Sequence, residues 1–412
     1  SVDEAALEES GQRIPDLGLA GFKPAQEARV INLTLLPLTP DDHTLLEHAF
    51  PRGSVAVLSR GFGNCRVSST QVRHLWRVQY FNSMQTLILN TLEVTRVPEV
   101  ALAAEIQRRF PSMALMRFTN SGTEASLLAL AAAKAFTARP KIMVFDGAYH
   151  GGLLSFGRGG SPINVPHEYV VAPYNDLAAA EALVREHGPT LAAIIVEPML
   201  GAGGCIPGEP AFLHGLRALA SGCGALLVFD EVQTSRLSIG GRQAQLGITP
   251  DLTVIGKYFG GGLSFGAFGG RVDCMAQFDP RRANALSHAG TFNNNVLSMA
   301  AGLAGLQQVL TPEALAALNQ RGDRLRERLN TVLQTHGVAA QFTGLGSVMN
   351  LHGMTGPVRC AADLAPSNTW LKELLFFDLL AGGCRPGCSG GATARQGARF
   401  LRAFAAFSLR GV

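Results

Sequence analysis

The chain has 412 residues, 47% of them hydrophobic and only 16% charged, with 35 basic against 31 acidic side chains and a net charge of +4. That length supplies a large buried core, at roughly 150 residues per domain, and excludes both a disordered chain and a miniature scaffold that needs staples. The small positive excess forms no basic block and no apolar run reaches the roughly 18 residues of a membrane span, so neither nucleic acid nor a membrane is an expected partner.

Seven cysteines, Cys65, Cys205, Cys223, Cys274, Cys360, Cys384 and Cys388, are odd in number and scattered, unlike a secreted disulfide framework. The start, Ser1-Val2-Asp3-Glu4, has neither a basic region nor an apolar one. Together these features predict a reducing, cytoplasmic setting. Cys384 and Cys388 lack a second ligand pair at suitable spacing, so no metal site is expected.

In chain order, residues 1–90 read as a divergent N-terminal segment in which clusters such as Arg60-Gly61-Phe62-Gly63-Asn64-Cys65-Arg66 replace clean periodicity. Residues 91–308 alternate short apolar runs with helical periodicity, the pattern of an α/β domain with a mostly parallel sheet covered by helices. Strands are predicted at Met116–Thr119, Ile142–Phe145, Tyr169–Ala172, Ala193–Val196, Ala225–Phe229 and Leu252–Ile255, and helices at Thr123–Thr137, Leu177–Glu186 and Pro210–Ser221. Residues 309–412 read as a smaller α+β domain, entered by a helix over Glu313–Thr335 with Thr311 as cap and Pro312 in its first turn. Beyond Ala381 the irregular composition returns.

Four strand ends carry chemistry. Asn120-Ser121-Gly122-Thr123-Glu124 turns a strand into an apolar helix, so hydroxyls, free amides and a helix dipole gather where an anion such as phosphate could sit; an ordinary helix cap is the plainer alternative. Asp230-Glu231-Val232-Gln233 puts two carboxylates at the carboxyl edge of a buried strand, where a carboxylate needs a cation or a strong donor, unless it merely caps the turn. Of the five lysines, Lys23, Lys134, Lys141, Lys257 and Lys372, only Lys257 stands between a strand end and a glycine cluster. A lysine at a strand end is ordinarily a surface residue, but beside a phosphate seat and a buried acid it fits imine chemistry with an aldehyde cofactor. Tyr149, in Gly147-Ala148-Tyr149-His150-Gly151, supplies an aromatic ring.

With those residues in place, the block from Arg117 to about Gln308 resembles the class III, fold-type I aminotransferases, in particular the branch of β-amino-acid aminotransferases and glutamate-1-semialdehyde aminomutase. Val196-Glu197-Pro198-Met199, Gly204-Cys205-Ile206-Pro207, Gly266-Ala267-Phe268-Gly269-Gly270-Arg271 and Gly290-Thr291-Phe292 carry the resemblance further, and a weaker continuation runs to about Leu380. The resemblance implies pyridoxal 5′-phosphate as cofactor. Lys257 would join its aldehyde and then shuttle the substrate proton, and Asp230 would hold the pyridine nitrogen protonated. Ser121, Gly122 and Thr123 would seat the phosphate. Tyr149 and Val232 would cover the two ring faces, and Gln233 or Glu197 would lie near the ring hydroxyl. Thr291 would reach the phosphate of the neighbouring subunit of a homodimer with shared sites.

The implied activity moves an amino group from a β-amino acid to a 2-oxo acid. Phe292-Asn293-Asn294-Asn295-Val296 lacks the Asn-Pro pair usual in the mutase, which favours the transferase; a mutase-like isomerase and an impaired binding protein of the same fold are the alternatives. The substrate carboxylate would need an arginine fork, for which Arg52, Arg60, Arg66 and Arg385 are the residues to consider.

Overall fold

The computed structural model describes residues 29–61, 63–72, 75–81, 86–94, 98–279 and 282–381. The chain divides into two compact units, Ser1–Val100 and Ala101–Val412. The first contains β1 (Arg29–Asn32), α1 (Pro40–Ala49), β2 (Arg52–Gly61), β3 (Gly63–Thr70), β4 (Leu75–Phe81) and β5 (Leu87–Val94), with the strands in one antiparallel sheet of order β1-β5-β4-β3-β2. Helix α1 starts on a reciprocal cap, in which Thr39 Oγ1 accepts the Asp42 amide at 3.2 Å and the Asp42 carboxylate accepts the Thr39 amide at 2.7 Å. Leu33, Leu75 and Leu92 form a small core with Ile31, Leu38, Leu46 and Phe50 against it. This sheet corrects the expectation of an irregular N-terminal segment. Its pattern is hidden because polar Ser68, Thr70 and Asn90 occupy buried positions and break the apolar alternation.

Helix α2 (Pro98–Arg109) is followed by β6 (Leu115–Thr119), α3 (Gly122–Thr137), β7 (Lys141–Phe145), β8 (Glu168–Ala172), α4 (Leu177–His187) and β9 (Leu191–Val196). A short ribbon, β10 (Met199–Leu200) with β11 (Ile206–Pro207), leads to α5 (Pro210–Cys223), β12 (Leu226–Asp230), α6 (Gly241–Leu246), β13 (Leu252–Gly256), β14 (Gly266–Gly270) and α7 (Val272–Met275). The main sheet has the order β6-β14-β13-β12-β9-β7-β8, and every strand in it is parallel except β14. All six residues of β9 are buried, as expected for a parallel strand covered on both faces. Successive side chains on β13 and β14 go to opposite faces: Val254 and Phe268 join the core that contains α3 and α5, whereas Ile255 and Ala267 join a second core with Leu102 and Ile106 of α2. The predicted strands and helices of this region are present to within two residues. The antiparallel strand Gly266-Ala267-Phe268-Gly269-Gly270 is an addition that its glycine content concealed.

The remaining described elements are α8 (Val296–Ala304), α9 (Pro312–Thr335), the hairpin β15 (Gln341–Leu345) and β16 (Val348–His352), and α10 (Thr369–Ala381). Thr311 Oγ1 accepts the Ala314 amide at 3.2 Å, so the predicted cap with Pro312 starts α9. Leu329, Leu333, Phe342, Leu351, Leu375 and Leu379 close a separate core between these helices and the hairpin. No helix among the described residues is long and apolar enough to cross a membrane.

Candidate active site

The carboxyl ends of β6, β13, β12, β9 and β7 lie along one edge of the main sheet, the edge at which open α/β sheets bind ligands. From β6, the chain enters α3 through Ser121, whose Oγ accepts the Glu124 amide at 3.2 Å. The first-turn amides of Gly122 and Thr123 have no acceptor within the helix by geometry and face outward with the positive end of the dipole. A Cβ on Gly122 would meet Val232 Cγ2 at 3.0 Å, and one on Gly256 would meet the Gly122 Cα at 3.5 Å. The helix start, the residue after β12 and the end of β13 therefore touch through glycine backbone.

Lys257 follows directly. Its φ of 55° is left-handed, an uncommon conformation for a residue with a side chain, and it opens a single turn over Lys257–Gly260. The side chain is exposed and forms no hydrogen bond or ion pair among the described residues, which leaves its amine available.

On the adjacent strand, Asp230 is 4% exposed; Oδ1 accepts the Val232 amide at 3.0 Å and Oδ2 accepts from His150 Nδ1 at 2.7 Å. His150 is buried, and its Nε2 has no hydrogen-bond partner among the described residues. Glu231, one residue on, turns away from the site. Fully buried, it accepts the Arg242 amide at 3.1 Å, the Gln243 amide at 2.7 Å and the Thr234 hydroxyl, so it fastens the start of α6. Of the two carboxylates expected at this edge, only Asp230 belongs to the site.

Glu197, after β9, accepts the Tyr149 amide at 2.9 Å and the Gly201 amide at 3.0 Å. Burial pushes its carboxyl up to about 7, with His150 pulling down and Asp230 pushing further up. A Cβ on Gly201 would collide with Gln233 Oε1 and stand 3.2 Å from Glu197 Oε2, so Gln233 and Glu197 share one wall. Gly151 lies so close to the Thr123 side chain that any Cβ there would overlap it. Contacts thus run from Lys257 past Gly256, Gly122 and Val232 to Asp230, on to His150, Tyr149, Glu197 and Gln233, and back through Gly151 to Thr123.

Thr291 stands apart from that ring, exposed on a turn that is tied to the seat by Asn293, whose Oδ1 accepts from Asn120 Nδ2 at 3.0 Å. His288 supports the same turn, 3.1 Å from Asn293 Nδ2 and edge-on to Phe268 and Phe278. Arg52 and Arg66 are exposed on strands of the first unit, and Arg66 lies over the Phe81 ring at 5.7 Å. The Arg60 side chain, Arg385, Cys384 and Cys388 fall outside the described residues. The part of the site that spacing did not disclose is the pair His150–Asp230, which meet across eighty residues of chain.

The sequence pattern of the class III aminotransferases matches residues 81–359. The chain belongs to the class III aminotransferase family. Members run their chemistry on pyridoxal 5′-phosphate, and the donor set here fits that group: an anion seat without side-chain obstruction at Gly122, a free amine at Lys257 and a buried acid at Asp230. The sequence is 58% identical over 282 residues to the β-phenylalanine transaminase of Variovorax paradoxus, a stretch that covers 68% of this chain and 65% of that protein. It is 40% identical over 300 residues to the glutamate-1-semialdehyde 2,1-aminomutase of Sorangium cellulosum, covering 69% and 68% of the two chains.

Among solved structures, the Variovorax paradoxus β-phenylalanine aminotransferase superposes with a TM-score of 0.73 at 53% identity over 76% of this chain and 74% of that one. An ω-transaminase from Sphaerobacter thermophilus gives 0.70 at 30% identity over 92% and 95%. The fold is accordingly fold-type I. The chain spans only about 65% of the length of the Variovorax enzyme, and its residues 13–108 match a different pattern, the C-terminal conserved region of the HupH hydrogenase expression protein.

Proposed function

We propose that the protein is a pyridoxal phosphate-dependent aminotransferase that moves the amino group of a β-amino acid to a 2-oxo acid. The observation that carries this reading is the placement of Lys257 and Asp230 at the ends of adjacent parallel strands, with Asp230 level with Val254 and Lys257 just beyond. When bound, the cofactor supplies an electron sink for the negative charge that develops as the substrate loses a proton.

The chain's own groups do the rest. Lys257 would hold the cofactor through its amine, and the same amine, when free, would be the base that takes and returns the substrate proton. Asp230, held by His150 and the Val232 amide, would keep the pyridine nitrogen protonated. Ser121, Gly122 and Thr123 would hold the phosphate, Tyr149 and Val232 would flank the ring, and Gln233 would lie near its hydroxyl. Thr291 serves the site of a second copy, so the working form is a homodimer. Free Cys205, Cys223, Cys274 and Cys360 support a reducing, cytoplasmic setting. The domain plan that fits best is a separate N-terminal module, the cofactor domain over 91–308 and a small domain from 309 onward.

A second reading, a chain that holds the cofactor without turning over, is favoured by two observations: about a third of the Variovorax relative's length is unmatched by this chain, and residues 13–108 match a foreign pattern. One experiment separates the readings. The purified chain with pyridoxal phosphate is given β-phenylalanine with pyruvate or 2-oxoglutarate, beside Lys257→Ala and Asp230→Asn. The transaminase reading predicts a visible absorbance band that bleaches with the donor, is absent in Lys257→Ala, and turns over at least about 100-fold more slowly in Asp230→Asn. A band that never bleaches establishes the binding protein, and conversion of glutamate 1-semialdehyde without any acceptor establishes a mutase.

A further inference from the structure

The turn after β7 is fastened by carboxylates from two other strand ends. Glu197 accepts the backbone N–H of Tyr149, and the next residue, His150, donates from Nδ1 to Asp230. Neighbouring amides of the turn are satisfied locally, Ala148 N–H by the Phe145 carbonyl at 3.0 Å and His150 N–H by the Leu154 carbonyl at 2.8 Å. The acceptor for Tyr149 N–H comes instead from Glu197, the residue after β9. Tyr149 is 44% exposed and lies outside the hydrophobic core, so the backbone of the turn has a large share in setting where the ring points. Glu197 itself is 6% exposed and walled in by Gly201 and Gln233.

We propose that Glu197 is a positioning residue: by holding the Tyr149 amide against the end of β9 it sets where the Tyr149 ring stands over the cofactor. The assignment rests on reading this edge as a pyridoxal phosphate site. It gives Glu197 a task other than meeting the ring hydroxyl, which falls to Gln233. The ionisable groups facing Glu197 are His150 from the turn, Asp230 from β12, Tyr174 after β8, whose hydroxyl donates to the Glu197 carbonyl at 2.8 Å, and Cys205 before β11. Burial pushes the Tyr174 hydroxyl and the Cys205 thiol upward, so both stay neutral around pH 7 and add no charge beside Glu197. Only the ionised carboxylate accepts from both amides without a competing proton, so the hold tightens as pH rises through about 7.

The test uses the full chain, Glu197→Gln and Glu197→Ala, with two readouts. Amide hydrogen exchange, measured without cofactor, reports the peptide covering residues 146–152; titration with pyridoxal phosphate reports affinity. Glu197→Ala should raise exchange in that peptide at least about tenfold and weaken cofactor binding by a similar factor, while peptides from β12 and β13 keep wild-type exchange. Glu197→Gln keeps the shape but turns an N–H toward one of the two amides, so it falls between, and its cofactor affinity loses the component of the wild-type pH dependence centred near 7. Should Glu197→Ala fail to fold, the glutamine variant carries the comparison. Wild-type exchange over residues 146–152 in the folded variants overturns the proposal. A wild-type chain that takes up no pyridoxal phosphate overturns the cofactor reading instead, whatever the exchange shows.

Discussion

Asp230 and Glu231 are consecutive residues of the same type with opposite duties, because a strand sends neighbours to opposite sides. Asp230 meets His150, whereas Glu231 is consumed by Thr234 and the amides of Arg242 and Gln243. Glu197 carries a testable cost. Folding raises its carboxyl from 4.5 to about 7, so the folded chain binds that proton more tightly than the unfolded chain does. Its contribution to stability is complete below about pH 4.5 and is lost as pH climbs through 7. Glu197→Gln cannot ionise, and it should gain on wild type between pH 5 and 8 by on the order of 1–3 kcal/mol, read as the melting-temperature difference between the two across that range. The substitution that loosens Tyr149 would thus steady the fold at alkaline pH. Lys257 and Asp230 stood out in the sequence because each sits at the end of a strand-like run, and Tyr149 because it lies in the glycine-flanked turn after one. The His150–Asp230 bond did not, since no local spacing relates two side chains eighty residues apart.

At the scale of elements, the parallel strands were legible to within two residues because strands covered on both faces read as unbroken apolar runs, as Leu191-Ala192-Ala193-Ile194-Ile195-Val196 does. Strand β14 escaped for the opposite reason. Its glycines are required by close approach: a Cβ on Gly266 would overlap the Ser121 carbonyl, and one on Gly270 the Asp251 carbonyl. A segment chosen for what it must not carry leaves no apolar signature. Close approach also sets a prediction for the turn after β7. Gly151 has φ +126° and abuts Thr123, so Gly151→Ala combines a strained backbone with a clash at the anion seat. We expect a loss of about 1–3 kcal/mol in stability and at least a tenfold loss of cofactor affinity, measured by thermal denaturation and by titration. Gly152, one residue on, has nothing within 4 Å of an added Cβ, and its alanine variant should behave like wild type in both assays.

For the whole molecule, the N-terminal sheet was the least legible part, because buried Ser68, Thr70 and Asn90 stand where apolar residues would mark a strand. That sheet has its own core around Leu33, Leu75 and Leu92, separate from those of the aminotransferase portion. Two cores of such different size should unfold in two steps. Calorimetry of the full chain is expected to resolve two transitions, and pyridoxal phosphate should raise only the larger one, because a ligand stabilises the unit that binds it. A single transition that shifts as a whole with cofactor would show the two parts to be one cooperative body.

From Thr119 to Lys257, one uninterrupted stretch of chain carries Lys257, Asp230, the Ser121–Thr123 turn and the turn with Tyr149 that the proposed function draws on. Apart from Thr291, which lies beyond it, that inventory is contiguous in the chain, so it is inherited or lost as one piece.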